Sequence, residues 1–370
     1  MRIAIVTAWY PNEKNPLYGV FIQNQARALS AHCEVFVLLL NWSLIPYTRE
    51  RKEGKVTIIE KGDFYFPNAS EQFLNFWASR YVRFFKGIHE KSAFDLVHCH
   101  DHYGTFVGDI IKTQLSIPYI CTIHNSNIMN DKLVGWKKAY LPRILNNADR
   151  VISVGKKLAN TLKSKYQISD VKVIPNYIDT DLFGIESTRN SDDFQFLFVG
   201  GLESHKGIVD LVKAFHKANI EDASLHIVGT GDLRNEIASY IQKNDLIEII
   251  HLHGEVPNDK LPEIYNESHV YVSVSEYETF GVTVLEAMSC GLPVLFTASG
   301  GPDDLVKDFA GLEIKERTIQ GIDNGLKEIK GKYGKYNGEK IREHVMNNYG
   351  SQKIIETLLN EYKLVLNAKA

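Results

Sequence analysis

The sequence carries little net charge. Its 370 residues include 42 lysines and arginines against 45 aspartates and glutamates, which gives a formal charge of −3. A nucleic-acid partner requires a dominant positive field, so we expect none. The composition, 44% hydrophobic and 24% charged, is typical of a globular protein. At roughly 150 residues per domain, the length predicts two domains.

Cysteine and long apolar runs are also scarce. The four cysteines, Cys33, Cys99, Cys121 and Cys290, lack zinc-site spacing and are typical of reduced residues in a cytosolic protein. The longest apolar run, VFVLLL at residues 35–40, is far shorter than the roughly 20 residues of a membrane-spanning helix. The N-terminal MRIAIVTAWYP does not resemble a signal peptide. We therefore expect a cytoplasmic protein, either free or peripherally attached to the inner face of the cytoplasmic membrane.

Short apolar segments alternate with amphipathic ones along the whole chain. The predicted strands are RIAIVTA, EVFVLLL, VTIIE, DLVHCH, PYICTIH, RVISV and VKVIP in the first half, and FQFLFVG, SLHIVG, IEIIHLHG, VYVSVS, PVLFT and GLEI in the second. Most are apolar on both faces, as parallel strands covered by helices are. The pattern predicts an α/β protein with two doubly wound, Rossmann-like domains whose parallel sheets face each other across a cleft.

A polar stretch without periodicity, IESTRNSDD, separates the two halves. We predict an N-terminal domain at residues 1–184, a linker at 185–193 and a C-terminal domain at 194–350. A final helix, at about residues 351–370, carries an apolar stripe and is expected to pack back on the N-terminal domain. Ligands of open parallel sheets bind beyond the carboxyl ends of the strands, so residues that directly follow strands are site candidates.

Two glutamates follow the strand VYVSVS. Glu278 precedes a helix that we predict to begin near Phe280, and Glu286 lies about two helical turns further on. A helix start offers unpaired N–H groups to an anion, and Gly281 allows close approach to the backbone. An offset on the order of 10 Å suits two hydroxyl-rich ends of one long ligand and exceeds the carboxylate spacing of a retaining glycosidase. The alternative is a capping glutamate and a surface glutamate.

A second candidate is FVGGLESHKG at residues 198–207. A strand ends there in Gly200 and Gly201, and Lys206 stands at the start of the next helix. A lysine in such a loop can pair with a diphosphate while the helix start supplies N–H donors. An ordinary strand-to-helix turn is the alternative. VGTGDL, at residues 228–233, lacks the third glycine of a dinucleotide fingerprint, and we interpret it as a turn.

The first half contributes a loop and several histidines. YPNEKNPLYGVF, at residues 10–21, follows the first strand and contains Gly19, a candidate for close approach to a ligand. His124 ends the strand in CTIHNSN and has either a structural or a functional role. His98, His100 and His102 cluster in VHCHDHYG without a converging set of carboxylates, so we predict no metal site.

Together these segments resemble retaining glycosyltransferase family 4, which has the GT-B fold. SVSEYETFGVTVLEAMSCGLPVLFTASGG carries the family's pattern of a strand, Glu278-Thr-Phe-Gly, Glu286-Ala-Met and Gly300-Gly301. The segments FDLVHCH, PYICTIH, ADRVISV, VIPNYIDTDLF, FVGGLESHKG and LHIVGTGDL follow in the family's order. The resemblance covers nearly the whole chain.

The resemblance implies transfer of a hexose-type sugar from a nucleoside-diphosphate sugar to a hydroxyl of a growing glycan or glycolipid. UDP-sugars are favoured over GDP-sugars as donors, and the setting would be surface polysaccharide, capsule or lipopolysaccharide biosynthesis. The anomeric configuration would be retained by front-face attack, with the leaving phosphate taking the acceptor's proton. The resemblance implies neither a cofactor nor a metal. The sequence carries no signal for the oligomeric state.

The resemblance also assigns residues. The implied catalytic residues are Glu278, Lys206 and His124, and the implied donor-binding residues are Gly19, Gly201, Lys206, Thr279, Phe280, Gly281, Val282 and Glu286. Glu278 would support positive charge at the anomeric carbon, and Glu286 would hold the ribose. Lys206 would neutralise the departing diphosphate. His124 would lie by the sugar or the incoming hydroxyl.

One departure from the family keeps other functions open. Gly201 stands where the family usually has an arginine, and the loss of that cation would weaken transition-state stabilisation by a few kcal/mol unless a group such as His205 replaces it. A non-catalytic, nucleotide-sugar-binding subunit of a glycosyltransferase complex is therefore one alternative. A nucleotide-sugar epimerase or a sugar phosphorylase on the same scaffold is another.

The segment least like the family is NASEQFLNFWASRYVRFFKGIH, at residues 68–89. Its aromatic residues recur at helical spacing, and Arg80, Arg83 and Lys86 accompany them. A basic aromatic helix of this kind can lie on a membrane surface, which would suit a lipid-linked acceptor. The alternative is a core helix flanked by solvated arginines.

Overall fold

A computed structural model describes residues 1–12, 18–64, 71–130, 132–186 and 193–368. The chain forms two compact units. The first unit consists of Met1–Tyr177 together with Gln352–Ala370, and the second unit is Ile178–Ser351. The linker predicted at residues 185–193 lies mostly outside the described residues, and the structure divides the chain before it, between Tyr177 and Ile178.

Strands and helices largely alternate in chain order. The first unit begins with β1 (Arg2–Thr7), α1 (Val20–Leu29), β2 (Glu34–Trp42), β3 (Tyr47–Glu53), β4 (Val56–Asp63), α2 (Glu71–His89), β5 (Leu96–His100), α3 (Asp101–Leu115), β6 (Tyr119–Ile123), α4 (Ser126–Met129), α5 (Trp136–Asn146), β7 (Arg150–Ser153), α6 (Lys156–Tyr166) and β8 (Val171–Val173).

The second unit repeats this alternation. It contains β9 (Phe194–Val199), α7 (Ile208–Ala218), β10 (Ala223–Val228), α8 (Arg234–Lys243), β11 (Ile250–Gly254), α9 (Leu261–Glu267), β12 (Val270–Ser273), α10 (Val282–Ser289), β13 (Val294–Thr297), α11 (Gly301–Leu305), β14 (Gly311–Ile314), α12 (Ile319–Gly331) and α13 (Gly338–Tyr349). The final helix, α14 (Ser351–Asn367), returns the chain to the first unit.

Each unit is built around one sheet. Among the described residues the strand order is β3-β4-β2-β1-β5-β6-β7-β8 in the first unit and β11-β10-β9-β12-β13-β14 in the second. All neighbouring strands are parallel except β3 and β4. Every strand predicted from the sequence is present, and the predicted class, two Rossmann-like parallel-sheet domains, is confirmed.

The structure adds one strand that the sequence pattern did not indicate. β3, with the sequence YTRERKE, has no apolar face and is largely exposed. It pairs antiparallel with β4 at the edge of the sheet, where Arg51 lies 3.8 Å from Glu60 on the neighbouring strand. An edge strand has only one partner and can be polar on both faces, so hydrophobic periodicity does not detect it.

α2 uses its aromatic residues for packing. Trp77, Tyr81 and Phe85 are at most 1% exposed and lie in the core of the first unit. Arg80, on the same helix, donates a hydrogen bond of 2.6 Å to the buried carboxylate of Asp63. Core packing therefore accounts for the aromatic stripe; the predicted start of this segment, at residues 68–70, lies outside the described residues. In the part of the chain that the structure describes, no helix is long and apolar enough to cross a membrane.

Candidate active site

The loops that follow β9 and β12 meet in the second unit because these two strands are neighbours in the sheet. β9 leads through Gly200 into a short 3-10 helix at Ser204–Lys206. Gly207 follows with a φ of +70°, and a Cβ at this position would lie 2.4 Å from the carbonyl oxygen of Val274. Because of this close backbone contact, the loop that carries Lys206 lies against the segment that follows β12.

Lys206 and Glu278 form an ion pair at this junction. The Lys206 Nζ donates a hydrogen bond of 2.5 Å to the Glu278 Oε2, and the two side chains are 24% and 21% exposed. The backbone N–H of Glu278 donates to the carbonyl of Ser299 at 3.1 Å, which fixes the glutamate beside the loop after β13. A cation and a carboxylate thus lie together at the carboxyl edge of the parallel sheet, where such sheets bind ligands.

α10 begins at Val282, later than the predicted start near Phe280. Gly281, the residue before it, has a φ of +94°, and its carbonyl accepts hydrogen bonds from the N–H groups of Val284 and Leu285. Glu278 therefore lies outside the helix, and the prediction of a 10 Å offset, which used the helical rise, does not apply. Of the residues between, Thr279 is half-buried and Phe280 is 4% exposed.

Glu286 is buried inside α10, so the alternative of a surface glutamate is wrong for this residue. It is 6% exposed, and the hydroxyl of Tyr265 donates to its Oε2 at 2.8 Å. Burial raises the pKa of Glu286 to about 7, against a smaller opposing effect of the Tyr265 hydrogen bond. Tyr265 was not predicted, because it comes from a different helix, α9, and motif spacing does not indicate it.

The surroundings of Gly201 are acidic. A Cβ built on Gly201 would lie 3.3 Å from the Glu203 Oε1, and the φ of Gly201 is not in the left-handed region. The Nδ1 of His205 lies 3.2 Å from the Glu203 Oε2, and the His205 ring stacks on Tyr277 with centroids 4.8 Å apart. The loop therefore combines a carboxylate and an imidazole beside Gly201.

The first unit also gathers polar groups at its strand ends. Asp101, which directly follows β5, accepts hydrogen bonds from the N–H of Ala8 at 2.9 Å and from the hydroxyl of Thr7 at 3.2 Å. It also accepts from the N–H groups of Tyr103 and Gly104. Burial raises the pKa of Asp101 to about 6. Asp101 was not predicted as a site residue, although its position at a strand end was a usable signal.

The predicted site histidine, His124, belongs to a buried histidine cluster. Its Nε2 lies 3.0 Å from the Nδ1 of His100, and its ring packs 4.5 Å from that of Phe21. Burial lowers the pKa of His124 to about 3 and the pKa of His100 well below its usual value. His98 bonds to Thr122 and to Tyr362 of α14. Among the described residues no group of three or more histidine, cysteine or acidic side chains is arranged to hold a metal.

Gly19 lies at the start of α1 in the first unit. Its φ is +75°, and a Cβ there would lie 2.6 Å from the carbonyl carbon and oxygen of Trp9. The backbone of Trp9 therefore requires a glycine at this position. Residues 13–17 of the loop that contains Gly19 lie outside the described residues.

The structure thus brings Lys206 and Glu278 into contact. It places Thr279, Phe280, Gly281, Val282 and Glu286 along one loop and helix of the second unit, with Gly201 in the loop after β9. Gly19 and His124 belong to the first unit. The roles of these residues stay predictions.

Comparison with known proteins identifies the class. Sucrose-phosphate synthase from Thermosynechococcus elongatus superposes with a TM-score of 0.83 at 21% identity, covering 100% of both chains. Anabaena HepE, solved in complex with UDP-glucose, has a TM-score of 0.74 at 17% identity over 97% of this chain and 100% of that one. The two Rossmann-like parallel-sheet domains are those of the GT-B glycosyltransferases.

The family follows from sequence matches. Residues 179–348 match the model for glycosyl transferases group 1, and residues 19–182 match the model for glycosyltransferase family 4. An uncharacterized glycosyltransferase of Methanocaldococcus jannaschii is 30% identical over 264 residues, which are 68% of this chain and 72% of the relative. The chain belongs to the group 1 glycosyl transferases, with a family 4 N-terminal region, as its sequence motifs predicted.

Proposed function

We propose that this glycosyltransferase moves a hexose-type sugar from a nucleoside-diphosphate sugar to a hydroxyl of a growing glycan or glycolipid. The anomeric configuration is retained, and no divalent metal takes part. The observation that carries the proposal is the contact of 2.5 Å between Lys206 and Glu278 at the carboxyl edge of the second sheet.

The ion pair supplies both charges that such a transfer needs. The diphosphate of a nucleotide sugar carries two negative charges and can bind Lys206. Charge-assisted hydrogen bonds to phosphate are among the strongest that a lysine makes. Once Lys206 binds the diphosphate, Glu278 is free to accept hydrogen bonds from the sugar hydroxyls. Its carboxylate then faces the positive charge that develops at the anomeric carbon, while Lys206 stabilises the negative charge on the leaving group.

Glu286 is suited to the ribose. A carboxylate can accept hydrogen bonds from two neighbouring hydroxyls, and Tyr265 already orients one of its oxygens. Because Glu286 is 6% exposed, hydrogen bonds from the ribose would be formed largely out of water, where they contribute most to specificity. The structure of HepE with UDP-glucose supports UDP as the nucleotide.

The first test is nucleotide binding. Thermal unfolding would be followed with UDP, GDP, ADP and CMP in the presence of EDTA. A ligand at 100 times its dissociation constant stabilises the native state by about 2.7 kcal/mol, which is easily measured. We expect UDP to stabilise the wild type and the Lys243→Ala control, in which an exposed lysine of α8 is changed. Lys206→Ala and Glu286→Ala should lose the effect; stabilisation that persists in both would contradict the site.

The second test separates binding from transfer. Glu278→Gln removes the anion that competes with the diphosphate for Lys206, so UDP should bind at least as tightly as to the wild type. Transfer should fall on the order of 100-fold or more, because the charge opposite the anomeric carbon is lost. Transfer equal to that of the wild type would show that Glu278 lacks the proposed role.

A non-catalytic subunit is the second candidate function, and the acidic surroundings of Gly201 favour it. The Glu203 carboxylate lies close to Gly201, the position at which the family resemblance implied a missing cation. Under this alternative the protein binds a nucleotide sugar, and neither transfer nor hydrolysis follows. Incubation of UDP-sugars with and without glycan acceptors distinguishes the candidates, and conversion of the sugar without an acceptor would instead indicate an epimerase.

We further propose that the enzyme contacts an anionic membrane surface, where a lipid-linked acceptor would be found. Leu44 and Ile45, in the turn between β2 and β3, are 87% and 77% exposed, and Phe76 on α2 is 60% exposed. Arg83 and Lys86 lie exposed on the same helix.

Sedimentation with anionic liposomes at low salt tests this proposal. The variant should combine Arg83→Glu with Lys86→Glu and keep Arg80, whose loss would leave the buried Asp63 carboxylate unpaired. We expect the double variant to remain in the supernatant. Equal sedimentation of the variant and the wild type would rule out this basic surface as the membrane contact.

A further inference from the structure

The contact between His100 and His124 determines which nitrogen of His124 carries its proton. We infer that His100 is a positioning residue that holds His124 in the Nδ1-protonated form, so that His124 presents an N–H donor to the pocket of the first unit that it lines, where a substrate hydroxyl can accept it, and does not act as a base. The tautomer is a property of the first unit alone, and its consequence for transfer rests on the proposed function.

Only one proton lies between the two rings. The Nδ1 of His100 is 3.0 Å from the Nε2 of His124, and the rings are inclined by 22°. Burial disfavours the charged form of both rings, so each is a neutral imidazole with a single N–H. Either His100 donates and the proton of His124 lies on Nδ1, or His124 donates and the proton of His100 lies on Nε2.

The two arrangements differ in where they leave the remaining N–H. His100 is 0% exposed, and no described residue bonds to its Nε2. The Nδ1 of His124 is also buried and has no bonding partner among the described residues, but His124 is 9% exposed and lines a small pocket with Asp101, Asn125 and Lys137. A buried N–H without an acceptor is rarer and costlier than an unused lone pair. We therefore place the remaining N–H on the Nδ1 of His124, beside the pocket, where a substrate oxygen can accept it.

The neighbours of His100 hold its ring in this orientation. The rings of His98 and His100 pack with centroids 4.3 Å apart. Both nitrogens of His98 are engaged, with the hydroxyls of Tyr362 at 2.6 Å and Thr122 at 2.7 Å. His98 is thus a fixed support for the ring of His100.

The direct test reads the protonated nitrogen in the full-length protein. Histidines labelled with ¹⁵N in the ring would be observed through two-bond ¹H–¹⁵N correlations, and the His124 signals would be assigned by their loss in His124→Gln. We expect His124 to be protonated at Nδ1 and bare at Nε2. Protonation at Nε2 would overturn the inference. Because this measurement requires no transfer, it stands or falls separately from the proposed function.

Two substitutions of His100 test the functional consequence. In His100→Asn the carboxamide nitrogen takes roughly the place of Nδ1 and can still donate to His124, whereas His100→Phe keeps a ring without a donor. We expect the Phe variant to lose the single tautomer of His124 and its kcat for transfer to fall on the order of 100-fold, with UDP binding unchanged. The Asn variant should recover the tautomer and most of the rate. A Phe variant with the wild-type tautomer and rate would refute the positioning role.

Substitutions of His124 itself provide a check that does not depend on the folding of the His100 variants. An asparagine places its N–H donor near the Nδ1 position, and a glutamine places it near Nε2. A donor role at Nδ1 predicts that His124→Asn retains more transfer activity than His124→Gln. Equal loss in both variants would contradict it.

Discussion

At the scale of single residues, burial decides how the carboxylates of the candidate site behave. Glu278 is about one-fifth exposed and paired with Lys206, whereas Glu286 is 6% exposed and, among the described residues, has the Tyr265 hydroxyl as its one hydrogen-bond partner. The two glutamates of one sequence motif therefore have different chemistry. One is an ion-pair partner, and the other is a carboxyl group that titrates near neutral pH.

The raised pKa of Glu286 predicts a pH-dependent cost to stability. The folded-state pKa of Glu286, about 7, lies above the ordinary value of 4.5, so the folded protein holds this proton more tightly than the unfolded chain does. The free energy of unfolding is therefore highest below pH 4.5, where both states are protonated, and it falls as the pH rises through 7. Glu286→Gln stays neutral. Relative to the wild type, the variant should gain on the order of 3 kcal/mol of unfolding free energy across this window. Urea unfolding at a series of pH values measures the difference, and a difference independent of pH would contradict the assignment.

Gly207 is a second residue whose role is set by its surroundings. In Gly207→Ala the new methyl group would meet the carbonyl of Val274, and the backbone would be held at a φ of +70°. We expect a destabilisation of about 1–3 kcal/mol together with weaker UDP binding, because Lys206 is displaced. Gly87→Ala is the matched control: Gly87 lies exposed in α2 with nothing near its Cβ position, so alanine should stabilise by about 0.5–1 kcal/mol. Similar melting temperatures for the two variants would refute the steric argument.

At the scale of elements, neighbouring aromatic residues of α2 are expected to contribute very different amounts to the stability of the first unit. Trp77 is 1% exposed and contacts Tyr81, whereas Phe76 is 60% exposed. Trp77→Ala should destabilise the first unit by about 3–5 kcal/mol because it creates a core cavity. Phe76→Ala should change stability by less than about 0.5 kcal/mol. Chemical unfolding of both variants tests the assignment of the core face, and a large cost at Phe76 would show it to be wrong.

The C-terminal helix matters at the same scale. α14 contributes Ile354, Ile355, Leu358, Tyr362 and Val365 to the core of the first unit. It also reaches the polar interior, where Tyr362 bonds to His98 at 2.6 Å, and Glu361 pairs with Arg150 at 2.9 Å. The helix is therefore part of the hydrophobic core that supports the histidine cluster.

At the scale of the whole molecule, the two units differ in chain continuity. The second unit is one segment, residues 178–351, whereas the first unit requires residues 352–370 in addition to 1–177. We expect a protein of residues 178–351 to unfold cooperatively in urea. Residues 1–177 alone should not, because α14 is missing from their core. Cooperative unfolding of residues 1–177 without the C-terminal segment would contradict this division.

The fold could be read from the sequence to the extent that burial leaves a local pattern. Parallel strands that are covered on both faces require continuous apolar runs, and every parallel strand of the two sheets was predicted from such a run. β3 was missed because an edge strand needs no such run. The start of α10 was predicted too early, because Gly281 adopts a left-handed conformation and the helix begins only after it.

By itself, the sequence determined the class of fold, the family and the motifs that carry Lys206, Glu278 and Glu286, because apolar periodicity and short motifs are local properties. Only the tertiary structure decided which side chains meet. Lys206 and Glu278 are 72 positions apart, and His100 and His124 are 24 apart. These contacts exist because the sheets bring separate strand ends to one edge, and the burial that raises the pKa of Glu286 comes from packing that the local sequence does not encode.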